Sequence, residues 1–287
     1  MTIYTRSKIG VLLTCFNRKE KTMACLSAFF KATNLVSGVN FDVFLVDDGS
    51  TDGTSEAVKN TFPGVKTIKG SGNLFWNGGM RLAWSEAAKN QYNFYMWLND
   101  DTILSEYALN EMLECYSLAE GKDQKPALIV GACVTSGNSG RFSYGGRSDE
   151  ETPVIPNGDL QSCKYINGNI VLVADRIFEE LGNLSSDYTH AMGDIDYGLR
   201  ALKKGFSLYT TRNYVAVCEL NEMPAWHDPK FPFSKRWELV HSPKGLNLKE
   251  YNKFRKKFWG RKWIIYAFKV YLKVIFPQVY NRLLTLK

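Results

Sequence analysis

The stretch Phe94-Tyr95-Met96-Trp97-Leu98-Asn99-Asp100-Asp101 constrains the fold more than any other. Its apolar part reads as a buried strand, and it stops abruptly at two adjacent carboxylates. In an open α/β sheet, ligands sit in the crevice outside the carboxyl ends of the strands. Asp100 and Asp101 are therefore expected to face a crevice rather than a core. Neighbouring carboxylates repel unless a cation sits beside them. A few hard oxygen donors suit Mg²⁺ or Mn²⁺, ions that commonly also hold substrate phosphates. Taken alone, an Asp-Asp pair also fits a solvated loop after a strand.

The rest of the chain repeats the pattern. Residues 8–15 and 42–46 are apolar strands, each followed by a polar turn and a helical stretch, over 18–31 and 54–60. A short strand over 65–68 leads through a Gly/Asn/Trp loop, 70–79, to a helix over 80–90. Strands are expected again over 127–134 and 164–174, helices over 105–119, 174–182 and 196–204, and one or two short strands over 206–217. Strands alternating with helices predict an α/β fold, with a mostly parallel central sheet flanked by helices. The segment 135–163, rich in Gly, Ser, Asn and Pro, reads as an irregular insertion lining a site. The expected division is a domain over 1–230, halved at residue 101, and an extension over 231–287.

The 287 residues suffice for a substantial core. The six cysteines show no CxxC and no ligand-like spacing, so they read as thiols of a reducing compartment. No secretory signal is evident at the N-terminus, and no window reaches the roughly 20 apolar residues that span a bilayer. The net charge of +7 admits anionic small molecules, nucleic acid or an anionic membrane.

The C-terminal end bears on that choice. Seven Lys and Arg between 249 and 262 adjoin the apolar run Trp263–Phe276. On one continuous helix, Arg255, Lys262, Lys269 and Lys273 share a face. This predicts an amphipathic helix at a membrane surface; packing on the domain or in a homodimer is the alternative. Basic residues beside an apolar helix argue against nucleic acid.

Four motifs fall at strand ends: Thr14-Cys15-Phe16-Asn17-Arg18, Val46-Asp47-Asp48-Gly49-Ser50-Thr51-Asp52-Gly53-Thr54, Asn99-Asp100-Asp101, and Asp194-Ile195-Asp196 with Arg200 one turn on. With them, residues 8–230 resemble family 2 glycosyltransferases of the GT-A fold. The stretch Asn73-Leu74-Phe75-Trp76-Asn77-Gly78-Gly79-Met80 narrows the likeness to bacterial rhamnosyl- and galactofuranosyl-type enzymes of surface polysaccharide synthesis.

The resemblance implies an inverting, metal-dependent transferase with a UDP- or dTDP-sugar donor and a saccharide or polyprenyl-linked acceptor. It places the donor nucleotide at Asp48, with Thr14, Phe16 and Arg18 as walls. Asn73 and Gly79 lie along the sugar and phosphates. Asp100 takes the ribose or a metal water, and Asp101 a divalent Mn²⁺ or Mg²⁺ ion. Asn99 stands where the family pattern has a first carboxylate. Asp194 matches the general base, although Gly193 replaces the usual glutamate before it. A late histidine, His227, is expected to complete the metal site. For Asp47 and Asp52, turn capping and ligand contact both stay open, as do stacking and core roles for Trp76. Asp196 and Arg200 read as an i,i+4 ion pair. The implied location is cytoplasmic, on the inner face of the membrane. A sugar-phosphate nucleotidyltransferase would want a Gly-rich phosphate loop that Thr14–Arg18 lacks. A non-catalytic glycan- or nucleotide-binding protein is the other alternative.

Overall fold

A computed structural model describes residues 7–137, 140–221 and 225–279. They form two compact units. The first holds the residues up to Ser185 together with Gly193–Leu220; the second holds Ser186–Met192 and the residues from Asn221 onward.

The first unit opens as the apolar runs demand. Strand β1 (Ser7–Cys15) leads to α1 (Lys19–Thr33), β2 (Val39–Asp47), α2 (Thr54–Thr61), β3 (Lys66–Lys69), α3 (Phe75–Ala87) and β4 (Phe94–Leu98). The chain continues through β5 (Ile103–Leu104), α4 (Ala108–Asp123), β6 (Ala127–Val134), β7 (Gln161–Ser162), β8 (Ile170–Ala174), α5 (Asp175–Leu181), α6 (Gly193–Lys203) and β9 (Ser207–Val217). The strands form one sheet in the order β3-β2-β1-β4-β8-β6-β9-β5, with β7 beside β9. β8 runs antiparallel between β4 and β6. β1 to β4, β6 and β9 all point the same way, as the alternating pattern requires. Their carboxyl ends meet along one edge of the sheet, where the motif residues emerge.

Burial explains the strand composition. Every residue of β4 and β8 is buried, so both read as unbroken apolar runs rather than alternating ones. Trp84, Trp97 and Tyr197 form the aromatic heart of the core, with ring centroids 5.2–5.5 Å apart. In α1, Leu26 and Phe29 are buried, while Met23 and Phe30 are only partly so.

Three expectations are corrected. α3 starts at Phe75, not at 80, so Gly78 and Gly79 are helical rather than loop. Gly79 is small because β1 lies against it: a Cβ there would collide with Thr14 Oγ1 and stand 2.7 Å from Thr14 Cβ. α6 begins at Gly193, which places Asp194 in its first turn. The C-terminal basic run is not one helix with the apolar run, because the chain breaks at Gly260 (φ +55°).

The second unit therefore contains α7 (Phe233–His241), α8 (Leu248–Trp259) and α9 (Trp263–Ile275), with 3₁₀ turns at Ala225–His227 and Gly260–Lys262. Arg255 leaves the expected lysine face. It is buried in α8, with its guanidinium 4.1 Å from the Tyr251 ring centroid. α9 buries Ala267, Val270 and Val274. Its Ile264, Ile265 and Phe268 are 59%, 58% and 62% exposed, and Leu272 and Ile275 are exposed beside them. At 3.6 residues per turn these five fall within an arc of about 100°, with Lys269 bordering it. No described helix is long and apolar enough to cross a membrane.

Candidate active site

The ends of β1 and β2 are tied together by short polar side chains. Asn17 adopts a left-handed backbone (φ +50°), which Asn tolerates better than most residues. Its N–H donates to Ser50 Oγ at 2.9 Å, and its side-chain oxygen accepts the Thr51 N–H at 2.7 Å. Asp52 accepts the N–H groups of Lys19 and Thr54, and Asp47 accepts Ser50 N–H and the Ser55 hydroxyl. Both acids thus shape turns, the simpler of their two readings.

Asp48 does different work. Its carboxylate is 4% exposed and accepts three backbone N–H groups, from Gly72, Leu74 and Phe75, at 2.8–3.0 Å. The first amides of a helix lack intrahelical partners, and Asp48 supplies acceptors from another strand. It also holds Phe75, whose φ of +54° is uncommon for an aromatic residue. Asp48 therefore fixes the loop carrying Asn73, whose side chain stays exposed. Phe16 is 41% exposed beside the same strand ends.

Beyond β4, the Arg18 guanidinium bridges the two adjacent carboxylates. Nη1 lies 2.9 Å from Asp100 Oδ1, and Nη2 lies 2.6 Å from Asp101 Oδ2. The cation beside the acid pair is thus Arg18, a residue assigned from sequence to the nucleotide wall. Thr22 Oγ1 donates weakly to Asp100 at 3.4 Å, and Cys218 Sγ stands 3.9 Å from Asp101 Oδ1. Burial pushes the Asp100 carboxyl up to about 7, outweighing the Arg18 charge. Asp101 keeps more contact with solvent.

A second line of contacts joins this segment to Asp194. Trp76 Nε1 donates to Asn99 Oδ1 at 2.6 Å. The Trp76 ring lies against Gly168, where any Cβ would collide with it, and Asp194 Cβ lies 3.5 Å from the same point. Asp194 Oδ2 accepts the Gly168 N–H at 2.9 Å, and Oδ1 accepts the Ile195 N–H at 2.8 Å. Burial raises the Asp194 carboxyl above its ordinary value despite these two bonds, which lower it. Asp196, fully buried, pairs with Arg200 at 2.6 Å, and Arg200 also donates to Leu181 and Asn183 carbonyls. The pair anchors α6 to the chain after α5.

His227 belongs to the second unit, its ring 4.6 Å from that of Trp226, and burial lowers its pKa. Among the described residues no group of three or more His, Cys, Asp or Glu side chains converges for a metal. The oxygen pair Asp100–Asp101 still fits Mg²⁺ or Mn²⁺, which take one or two protein carboxylates and complete their shell with phosphates and water. Thr22, Cys218 and Gly168 were missed by sequence reasoning; no motif or spacing marks them. The six cysteines are free and buried, and burial raises the Cys218 thiol to about 11.

Comparisons with known proteins bear on the family and the fold. The glycosyl transferase family 2 model matches residues 10–172. Uncharacterised proteins of Mycobacterium tuberculosis and Mycobacterium bovis are 26% identical over 142 residues, covering 48% of this chain and 51% of theirs. The match thus spans about half the length of those relatives. Among solved structures, a mannosyltransferase of Pyrobaculum calidifontis in complex with GDP-Man and Mn²⁺ superposes with a TM-score of 0.57 at 14% identity. It is covered to 74%, and this chain to 92%. TarS of S. aureus, residues 1–349 in complex with UDP-GlcNAc, gives 0.54 at 12% identity, covering 85% of this chain and 66% of that one. These likenesses establish the GT-A architecture of the sheet, and the family match over more than half its length makes this chain a member of glycosyl transferase family 2.

Proposed function

We propose that the chain is an inverting glycosyltransferase that moves a sugar from a nucleoside-diphosphate donor to an acceptor hydroxyl. Asp194 is the general base. It takes the acceptor proton on Oδ1 or Oδ2 as the freed oxygen attacks the anomeric carbon from the face opposite the nucleotide. The nucleoside diphosphate leaves as the glycosidic bond forms. The observation that supports this reading is the contact line Asn99–Trp76–Gly168–Asp194, which puts the Asp194 carboxylate one indole away from the Asn99–Asp101 segment. Burial makes that carboxylate a stronger base than a solvated one.

Asp101, with Asp100 beside it, would hold Mn²⁺ or Mg²⁺. Such an ion, when bound, neutralises charge on the departing diphosphate. Asp48 and the Gly72–Phe75 loop shape the donor side, with Thr14, Phe16, Arg18, Asn73 and Gly79 around the nucleotide and sugar. The ligands named for the two solved relatives, GDP-Man and UDP-GlcNAc, support a nucleotide-sugar donor as a class. The donor here is a UDP- or dTDP-sugar carrying a hexosyl or rhamnosyl group. The acceptor is a lipid-linked saccharide of bacterial surface polysaccharide synthesis. The setting is the cytoplasmic face of a membrane, supported by the exposed apolar arc of α9 and its lysine border.

The test is a binding and hydrolysis screen of UDP- and dTDP-sugars with Mn²⁺, Mg²⁺ or EDTA. Metal-dependent binding of one donor, with turnover lost in Asp194→Asn while binding persists, is the expected result. A folded protein that binds no nucleotide sugar would sink the reading; full turnover by Asp194→Asn would remove Asp194 as base.

A further inference from the structure

The irregular segment after β6 builds a second cavity in the first unit. It measures about 410 Å³, within the range of about 300–1,000 Å³ common for small-molecule pockets. Its polar lining residues are Arg141, Arg147, Ser143 and Tyr214, two of them cationic and all able to donate. No carboxylate lines it. The apolar wall is Phe142, Pro153, Ile155 and Leu220.

This segment lacks long strands, yet it is firmly built. Residues 141–144 lie antiparallel to β6. Arg141 O accepts Thr135 N–H at 2.9 Å, Ser143 N–H donates to Cys133 O at 3.0 Å, and Cys133 N–H donates to Tyr144 O at 2.8 Å. Gly145 (φ +150°) lets the chain pass close to Ala132. The Arg147 backbone bonds Tyr165 in both directions at 2.8 and 3.1 Å.

Two observations point to a ligand. Neither arginine has a carboxylate partner among the described residues. Arg147 donates only to the Glu151 carbonyl, and the neighbouring acid Asp149 is held by Lys164 at 2.8 Å. Ser143 is 2% exposed, and its Oγ has no hydrogen-bond partner, a costly state for a buried hydroxyl. Two arginines lining one cavity without a carboxylate beside them favour binding an anion there.

The cavity lies at the strand edge that carries the catalytic motifs. Leu220 follows Cys218 by two residues, about 7 Å of extended chain, and Cys218 Sγ stands 3.9 Å from Asp101. We infer that this cavity is an acceptor subsite for an anionic group set beside an apolar or ring surface. The charge is a phosphate ester or a sugar carboxylate, gripped by Arg141 and Arg147 with Ser143 and Tyr214. The inference rests on the transferase reading for the word acceptor, and on the cavity alone for the anion.

The test is calorimetry on the full chain in EDTA, with geranyl diphosphate and methyl glucuronide as charged probes and geraniol and methyl glucoside as neutral ones. One charged probe is expected to bind at least about tenfold tighter than its neutral partner, and which one binds names the source of the charge. The double variant Arg141→Ala/Arg147→Ala is expected to lose about tenfold or more in that affinity, the scale of a charged hydrogen bond. Nucleotide-sugar binding with Mn²⁺ is expected to stay unchanged in the same variant, as is its far-UV circular dichroism. Absence of binding by both charged probes, or equal binding by the variant, overturns the inference. A parallel loss of donor binding would assign the arginines to the donor instead, and would leave the transferase reading standing.

Discussion

Arg18 Nη2 lies 2.6 Å from Asp101 Oδ2, and the same guanidinium reaches Asp100 with its other nitrogen at 2.9 Å. One planar cation thus spans two consecutive acids, a task for which a lysine has the wrong shape. Replacing Arg18 leaves two adjacent carboxylates, one of them buried, without a counter-charge. The side chain of Arg18 is about a third exposed, so the cost lies between that of a surface pair and that of a buried one. Arg18→Ala and Arg18→Lys are both expected to lose about 2 kcal/mol of stability, read as a lower urea midpoint at unchanged slope. Equal midpoints for wild type and Arg18→Lys would show that charge alone suffices.

Asp48 offers a sharper case, because all three of its partners are backbone N–H groups. Asn keeps one acceptor oxygen and turns an NH₂ toward amides that need an acceptor. Asp48→Asn is expected to cost about 2–3 kcal/mol, the scale of a charged hydrogen bond with a buried donor left unpaired. Amide exchange is expected to accelerate at Gly72, Leu74 and Phe75 before it does elsewhere. Uniform acceleration would mean that Asp48 supports the whole fold rather than this loop.

Gly79 and Thr14 test the contact between α3 and β1. A methyl at Gly79 gains up to about 1 kcal/mol of helix propensity but meets Thr14 at its Cβ and Oγ1. Overpacking of this kind costs about 1–3 kcal/mol, so the clash wins and Gly79→Ala is expected to destabilise. Adding Thr14→Ser, which removes a methyl but keeps the hydroxyl, relieves little; adding Thr14→Gly relieves most. A double-mutant cycle with no coupling would remove the contact as the reason for the glycine.

How much of this was legible in advance follows from where the signal resides. Apolar runs such as Phe94–Leu98 announce buried strands because both faces of β4 are covered. The polar residues at their ends mark the site because parallel strands deliver them to one edge. The start of α3 was not legible, since Gly78 and Gly79 resemble loop residues and the acceptor that secures the helix start, Asp48, lies 27 positions before Phe75. The Arg18 clamp and the Trp76–Gly168–Asp194 line were hidden for the same reason: they join residues far apart in sequence, and no spacing records them. The break at Gly260 was readable only as a glycine in a basic run, and without it Arg255 fell on the wrong face.

The pH dependence of Asp194 gives a signed test. Its folded pKa is raised by burial, so the folded state binds the proton more tightly than the unfolded one. The group therefore opposes folding increasingly as pH rises through the interval between the ordinary carboxylate value and the raised one. Relative to wild type, Asp194→Asn is expected to gain stability as pH rises from the ordinary carboxylate range through the raised folded value. Wild-type kcat/KM is expected to fall on the acid side with a midpoint above that of a solvated aspartate. A stability gap that stays constant with pH would show that Asp194 is not held in a desolvated place.

The exposed arc of α9 makes the membrane setting measurable without any sugar chemistry. Ile264, Ile265 and Phe268 face solvent, whereas Val270 and Val274 on the opposite side hold the helix to its own unit. Substitution on the arc therefore leaves the packing face untouched. Lys269 lies at its border, where a bound membrane would present its phosphate headgroups. The full chain is expected to sediment with vesicles containing anionic phosphatidylglycerol and much less with pure phosphatidylcholine. Ile264→Glu/Phe268→Glu is expected to abolish binding, while Lys269→Glu lowers it and weakens its salt dependence. The rival occupant of an apolar arc is a second copy of the chain. If light scattering finds a dimer that Ile264→Glu/Phe268→Glu splits, and vesicles leave the protein in solution, the arc is a subunit interface instead.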